Sequence, residues 1–197
     1  MVAHPSTLFV AIAIATTLLF TVPTARADAP QAEDVKIDEI EDHTGVKGLR
    51  ATFIVEHPRA VVFETINDLN SFMKLFPNIM EFKILNTDGA ARDVYFKVDA
   101  VLSEAEYVLR REGKRGKHAD TIVWDRLSGD ARVIRGAWIM THGPRPNTTK
   151  VVYQSYVDVA MVIPTALIRS IAIGKVKEMV VRVREGCDAQ ASKRLAP

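Results

Sequence analysis

Two hydrophobic periods divide the chain. Ala51, Phe53 and Val55 alternate with Arg50, Thr52 and Ile54, which predicts a strand over Leu49–Glu56. His57-Pro58 ends it. Val61, Val62, Ile66 and Leu69 then recur at helical spacing, predicting a helix over Pro58–Leu69 and a shorter helical turn, Asn70–Phe76, that stops at Pro77. Period two returns in Ile79–Leu85, Asp93–Leu102, Glu104–Arg111, Asp120–Leu127, Ala131–Thr141 and Lys150–Met161. Turn clusters such as Asn86-Thr87-Asp88-Gly89, Ser128-Gly129-Asp130 and Gly143–Thr148 separate these runs. The cleanest run places Val94, Phe96, Val98, Ala100 and Leu102 on one face and Tyr95, Lys97 and Asp99 on the other, as a strand with one dry face does. Helical spacing closes the chain: in Pro164–Arg184, the residues Ile168, Ala172, Ile173, Val176, Met179, Val180 and Val183 fall on one broad arc. Pro164 suits a first helical position, and Gly186 is placed to terminate the helix in a left-handed conformation.

Strand, two short helices, consecutive strands with short connections and one long helix describe an antiparallel sheet, not a βαβ array. A sheet of this extent curls. Its concave face is the natural seat for the long helix, and one helix on a strongly curved sheet tends to leave a cavity. The expected fold class is therefore α+β, a curved antiparallel sheet wrapped around a C-terminal helix with an interior hydrophobic cavity. Arg169 falls inside the apolar arc of that helix. It fits either a guanidinium that snorkels from the core edge to water or a buried cationic handle for a ligand's polar head.

Composition adds limits. The chain has 197 residues, 48% of them hydrophobic, and a formal net charge of +2, which describes a globular protein and lends nucleic-acid binding no support. Leu8–Val22 is an uncharged apolar run followed by Pro23 and Ala25-Arg26-Ala27, a small-x-small cleavage pattern. Residues 1–27 are therefore expected to be a signal peptide, giving a secreted and, in a bacterium, periplasmic chain. The alternative is an uncleaved N-terminal membrane anchor, although the run falls short of the roughly 20 residues that span a bilayer. Residues 28–45 are acidic without a sustained apolar period and are expected to be a linker, with one domain over 46–186 and a tail over 187–197. Cys187 is the only cysteine, so neither an internal disulfide nor a cysteine metal site can form; an incidental thiol past the last helix is expected.

Catalytic motifs are missing. The five histidines are not at metal-ligand spacing, and there is no nucleophile elbow, zinc-protease motif or phosphate-binding glycine loop. No metal, cofactor or catalytic residue is expected. Glu104 and Glu106 share a strand face, and Asp125 and Asp158 lie near strand ends; any of these acids could serve a pocket, but a polar outer face explains the glutamates more cheaply. Arg110, Arg111, Lys114, Arg115, Lys117 and His118 gather at one hairpin tip. Two readings remain open: a solvated tip that protects an edge, or docking on an anionic membrane at roughly 1 kcal/mol per basic group.

Leu69–Pro77 (LNSFMKLFP), Gly136-Ala137-Trp138, Thr149–Tyr153, Val157-Asp158 and Pro164 before the last helix resemble the START/polyketide-cyclase (SRPBCC, helix-grip) superfamily. Within it the chain is most similar to coenzyme-Q-binding START-domain and ribosome-association-toxin-like proteins. The likeness covers roughly residues 46–185. It implies a hydrophobic ligand, such as a lipid, isoprenoid quinone or sterol-like molecule, held between sheet and helix. Phe72, Leu75 and Phe76 would form a lid, Phe96, Val98, Trp138 and Tyr156 the sheet wall, and Ile168, Ala172, Val176 and Met179 the helix wall. Arg169, Tyr156 or Trp138 would meet the ligand's polar end. A cyclase/dehydratase-type enzyme using Asp125 or Glu106, or a protein-interaction module with a solid core, are the alternatives.

Overall fold

The computed structural model describes residues 34–100, 103–159 and 165–195, the last helix with side chains over 169–194. The leader, Pro164 and the side chain of Ile168 lie outside the described residues. The elements are β1 (Lys36–Glu41), β2 (Lys47–Val55), α1 (Arg59–Asn67), a 3-10 turn (Leu69–Ser71), α2 (Phe72–Leu75), β3 (Ile79–Asp88), β4 (Ala91–Asp99), β5 (Glu104–Lys114), β6 (Ala119–Gly129), β7 (Ala131–His142), β8 (Thr149–Val159) and α3 (Thr165–Leu195). The strands form one eight-stranded sheet in the order β1-β2-β8-β7-β6-β5-β4-β3. Every neighbouring pair is antiparallel. The α+β helix-grip architecture, a curved sheet around a long C-terminal helix, is the one observed.

Two expectations about the ends of the domain are corrected. The acidic segment 28–45 is not wholly a linker, because Lys36–Glu41 pairs along β2 as an edge strand. Its weak apolar period suits an edge: Ile37 packs on the core, while Lys36, Glu39 and Glu41 stay exposed and discourage further pairing. The turn into β2 closes on Asp42, whose carboxylate accepts from Thr44 N at 2.7 Å and Val46 N at 3.1 Å, with Gly45 at φ +81° completing the reversal.

The second correction concerns α3, which runs through Gly186 to Leu195, so residues 187–195 are helix and not a tail. The apolar stripe continues: Val176, Val180, Val183 and Cys187 are buried at spacings of three and four, and Ala191 packs against the same cluster. Gly186 does not stop the helix. A Cβ there would lie 3.0 Å from Leu75 Cδ2 and 3.1 Å from Thr65 Cγ2, so glycine lets α3 approach α1 and α2 closely. Cys187 is a fully buried core residue beside Thr65.

Apolar burial is split into two clusters. One joins α1 and α3 to β2, β6, β7 and β8 through Phe53, Val62, Ile66, Trp138, Val180 and Val183. The other joins the start of β7 to β3, β4 and β5 through Ile79, Val94, Phe96, Val98, Leu109 and Ile134. Phe76 and Trp124 pack against both.

Candidate ligand-binding site

Between the two clusters lies a cavity of about 270 Å³. Leu75, Trp138, Val176 and Met179 from the first cluster face Ile79, Phe96, Leu109 and Ile134 from the second across it. It adjoins an open cleft of about 740 Å³ between the β1–β2 turn region (Thr44–Leu49) and the N-terminal half of α3. Tyr153, Ser155, Val157, Lys175 and Val176 line both spaces. The cleft alone falls within the size range of small-molecule sites, roughly 300–1,000 Å³, the inner cavity lies just below it, and both are mostly apolar with a few polar groups, as such sites are.

Sheet parity places the walls. On β8 the residues Tyr153, Ser155 and Val157 point toward α3, and on β5 Tyr107, Leu109 and Arg111 do. Trp124 and Tyr153 stack with centroids 5.8 Å apart, and Tyr153 meets Trp138 at 4.6 Å. Gly136 makes this possible: its Cβ would sit 2.3 Å from Trp124 Cζ2, so only a glycine leaves room for the indole. At the other wall Phe72 lies 4.4 Å from Phe76 and 5.6 Å from Phe96. Burial pushes the phenols of Tyr107 and Tyr153 above their ordinary values, so both stay neutral donors.

Of the expected lining residues, Phe72, Leu75, Phe76, Phe96, Trp138, Val176 and Met179 line the inner cavity, and Ala172 lines the cleft. Val98 is buried on the same face of β4, behind Phe96. Tyr156 is misplaced by one residue of strand parity; it faces away from α3, beneath the Arg135 guanidinium at 5.9 Å, and Tyr153 takes the inner position. Arg169 is exposed at the cleft rim and paired with Glu39 of β1, so the snorkelling reading holds. Two of the candidate pocket acids are excluded from the cavity. Glu106 and Asp125 are exposed on strand faces turned from α3, which removes them as cavity acids. Glu104 pairs with Lys97 at 2.5 Å, and Asp158 sits at the cleft rim 3.9 Å from Arg132.

The basic tip gives up Arg111 to the interior and ties two of its exposed arginines to acids. Arg110 pairs with Asp88 at 2.9 Å and Asp93 at 3.6 Å. Arg115 pairs with Glu64 at 3.1 Å and lies over Phe63, tying the tip to α1. Lys114, Lys117 and His118 remain exposed. Arg111 is the largest departure. It is 5% exposed and points inward, donating to Ile66 O at 2.5 Å and Asn67 Oδ1 at 2.9 Å, and it lines the inner cavity. The cavity also uses Tyr107, Trp124, Ile134 and Ser155, which had not been singled out. Alternation along Ala105, Tyr107, Leu109 and Arg111 was the available signal, since it puts Arg111 on the dry face.

A curved antiparallel sheet closed by one helix over an apolar cavity defines a helix-grip fold built for hydrophobic ligands. The chain matches the family model described as polyketide cyclase / dehydrase and lipid transport over residues 55–184, well over half its length, and belongs to that family. No curated protein matches it. Among solved structures, it is similar to a STAR-related lipid transfer protein from Xanthomonas axonopodis, at 15% identity and a TM-score of 0.67, covering 81% of this chain and 97% of that one. The Zhui aromatase/cyclase from Streptomyces sp. R1128 matches at 15% identity and a TM-score of 0.59, covering 82% and 97%. The lipid transfer and protein localization domain of human StarD13 matches at 15% identity and a TM-score of 0.64, covering 80% and 86%. At these identities the likeness is one of fold.

Proposed function

We propose that this protein is an exported carrier that withdraws a hydrophobic molecule, such as a lipid, an isoprenoid quinone or a sterol-like compound, into the space between the sheet and α3. The observation that carries this is the position of the cavity. It separates two well-packed apolar clusters, and it is lined by side chains that each cluster leaves facing inward. A chain selected only for stability would close such a gap, because unfilled apolar volume costs free energy. Filling it with a ligand instead contributes about 25 cal/mol per Å² of apolar surface removed from water. The open cleft beside β1 offers a wide approach, and Lys175 and Glu178 at the inner cavity give its helix side a polar margin. The apolar run and the Ala25-Arg26-Ala27 pattern in the first 27 residues support export. Membrane contact, if it loads the carrier, would use Lys114 and Lys117, the two lysines left exposed at the β5–β6 tip.

Native mass spectrometry of the mature protein purified from its own cell envelope, followed by organic extraction, tests this. A co-purifying hydrophobic compound of defined mass on a chain beginning at Asp28 is the expected result. A chain that is empty and takes up neither lipid, quinone nor sterol would overturn the carrier reading, and one retaining Met1 would overturn the cleavage.

A further inference from the structure

Arg111 is a cation buried at the wall of an apolar cavity with no carboxylate within ion-pair distance among the described residues. Its charge is tolerated because the last carbonyls of α1 face it: Ile66 O accepts at 2.5 Å, Asn67 O at 3.5 Å and Asn67 Oδ1 at 2.9 Å, at the helix end where cations are favoured. Gly113 on the same strand face permits this approach, since a Cβ there would lie 2.8 Å from Asn67 Oδ1. The Phe72 ring covers the guanidinium at 5.3 Å. These bonds run from Nη1 and Nη2, and a guanidinium carries five N–H donors in a fixed fork.

Helix capping alone does not account for the neighbour. Arg92 is the direct partner of Arg111 in the β4–β5 ladder, on the strand face that also carries Val94 and Phe96. Arg92 likewise makes no ion pair among the described residues. Like charges opposite one another across two strands are destabilising. Burial, and next the charge of Arg92, lower the Arg111 guanidinium to about 10, which still leaves it charged at neutral pH. Two adjacent arginines without an acid, one of them on the cavity wall, are an arrangement that an anion would relieve.

We propose that Arg111, flanked by Arg92, is an oxyanion subsite at the β4–β5 end of the cavity, so that the ligand is an apolar chain or ring system ending in a carboxylate or a phosphate. The proposal rests on the cavity being the ligand site. Arg111 takes the oxyanion through charge-assisted hydrogen bonds, while the apolar body lies against Phe96, Leu109, Ile134 and Met179. Quinones and sterols, which end in neutral carbonyl or hydroxyl groups, would leave the two charges uncompensated and are selected against.

The test is calorimetric titration of the delipidated full-length protein with hexadecanoate, monohexadecyl phosphate and hexadecanol. These probes share a sixteen-carbon skeleton and differ in the oxygenated head. Binding of one or both anions at least ~10-fold tighter than the alcohol is expected, and whichever anion is preferred identifies the head as carboxylate or phosphate. Arg111→Gln should bring the ratio of anion to alcohol affinity close to one. Arg92→Gln, at a half-buried position whose side chain makes no hydrogen bond among the described residues, should lower the ratio while keeping the fold, so the prediction survives if Arg111→Gln fails to fold. Equal affinity for all three probes, or a ratio unchanged in Arg92→Gln and in any folded Arg111→Gln protein, would overturn the subsite and leave the carrier reading standing. Failure to bind any of the three while a quinone or sterol is taken up would overturn the subsite alone, and failure to take up any of these compounds would overturn the carrier reading itself.

Discussion

Val176 and Val180 lie one turn apart on α3, both buried, and the same substitution at the two positions separates a cavity from a filled core. Val180 is 0% exposed, belongs to the α1–α3 cluster and lines neither open space. Val176, at 8%, lines both the inner cavity and the cleft. Replacing Val180 by Phe forces a ring into packed side chains, which costs typically about 1–3 kcal/mol. Replacing Val176 by Phe aims the ring at a space of about 270 Å³, equal to about nine waters at about 30 Å³ each. Its cost should fall below the roughly 1–3 kcal/mol of overpacking, because part of the ring enters open space. Helix propensity does not distinguish the variants, because the substitution and the helix are the same. Urea titrations read the difference directly. In thermal melts each kcal/mol corresponds to about 2–4 °C for a domain of this size. Ligand uptake should move the other way: a ring that displaces two methylenes of ligand removes about 1.6 kcal/mol of burial, roughly tenfold in affinity, while Val180→Phe leaves the lining intact. Equal destabilisation at the two positions would mean that the space beside Val176 is closed in solution, and the carrier reading would lose its structural basis.

Three further outcomes are expected. Gly136→Val should drive the Trp124 indole from its place, because the added Cβ would fall 2.3 Å from Trp124 Cζ2; a loss of about 1–3 kcal/mol and a shifted tryptophan emission are the readouts, and an unchanged spectrum would refute the close approach. Burial pushes the Cys187 thiol up to about 12, the Thr65 hydrogen bond opposing the shift and Asp188 adding to it. Native protein at pH 8 should therefore resist iodoacetamide and react only once unfolded. Because the folded thiol holds its proton to higher pH than the unfolded one, whose value is about 8.5, this group's contribution is complete below that value. It then declines as pH rises toward 12. Arg169→Gln, which breaks only the exposed pair with Glu39, should change stability by no more than about 1 kcal/mol and leave the preference among the three hexadecyl probes intact; loss of that preference would restore Arg169 as the head-group contact.

Sequence periodicity was informative where a residue's neighbours share its face and uninformative where burial depends on an element far along the chain. Val94, Phe96 and Val98 announce a dry face by themselves, and so do Val176, Val180 and Val183 on the last helix. Those two stripes are enough to bring sheet and helix together. Arg111 carried the opposite signal, since its side chain is charged and its neighbours Arg110 and Lys114 are surface residues. Its burial depends on carbonyls at Ile66 and Asn67, 45 and 44 residues away, which no local pattern can register. Strand parity through Tyr107 and Leu109 placed it on the inner face, and composition at the hairpin tip outweighed parity. Tyr156 shows a related limit. Around Val152–Tyr156 both faces of β8 carry large side chains, so alternation does not say which face is inner until β7 and β2 fix the register. Gly186 failed differently, because a glycine near a helix end reads equally as a stop and as a site of close packing. The buried side chains of Leu75 and Thr65 on other helices decide between them. The cavity belongs to this last kind of fact. Its lining residues were legible as apolar, but the gap arises from how far the β3–β5 cluster stands from the α1–α3 cluster. That separation is a property of sheet curvature, and no residue encodes it alone.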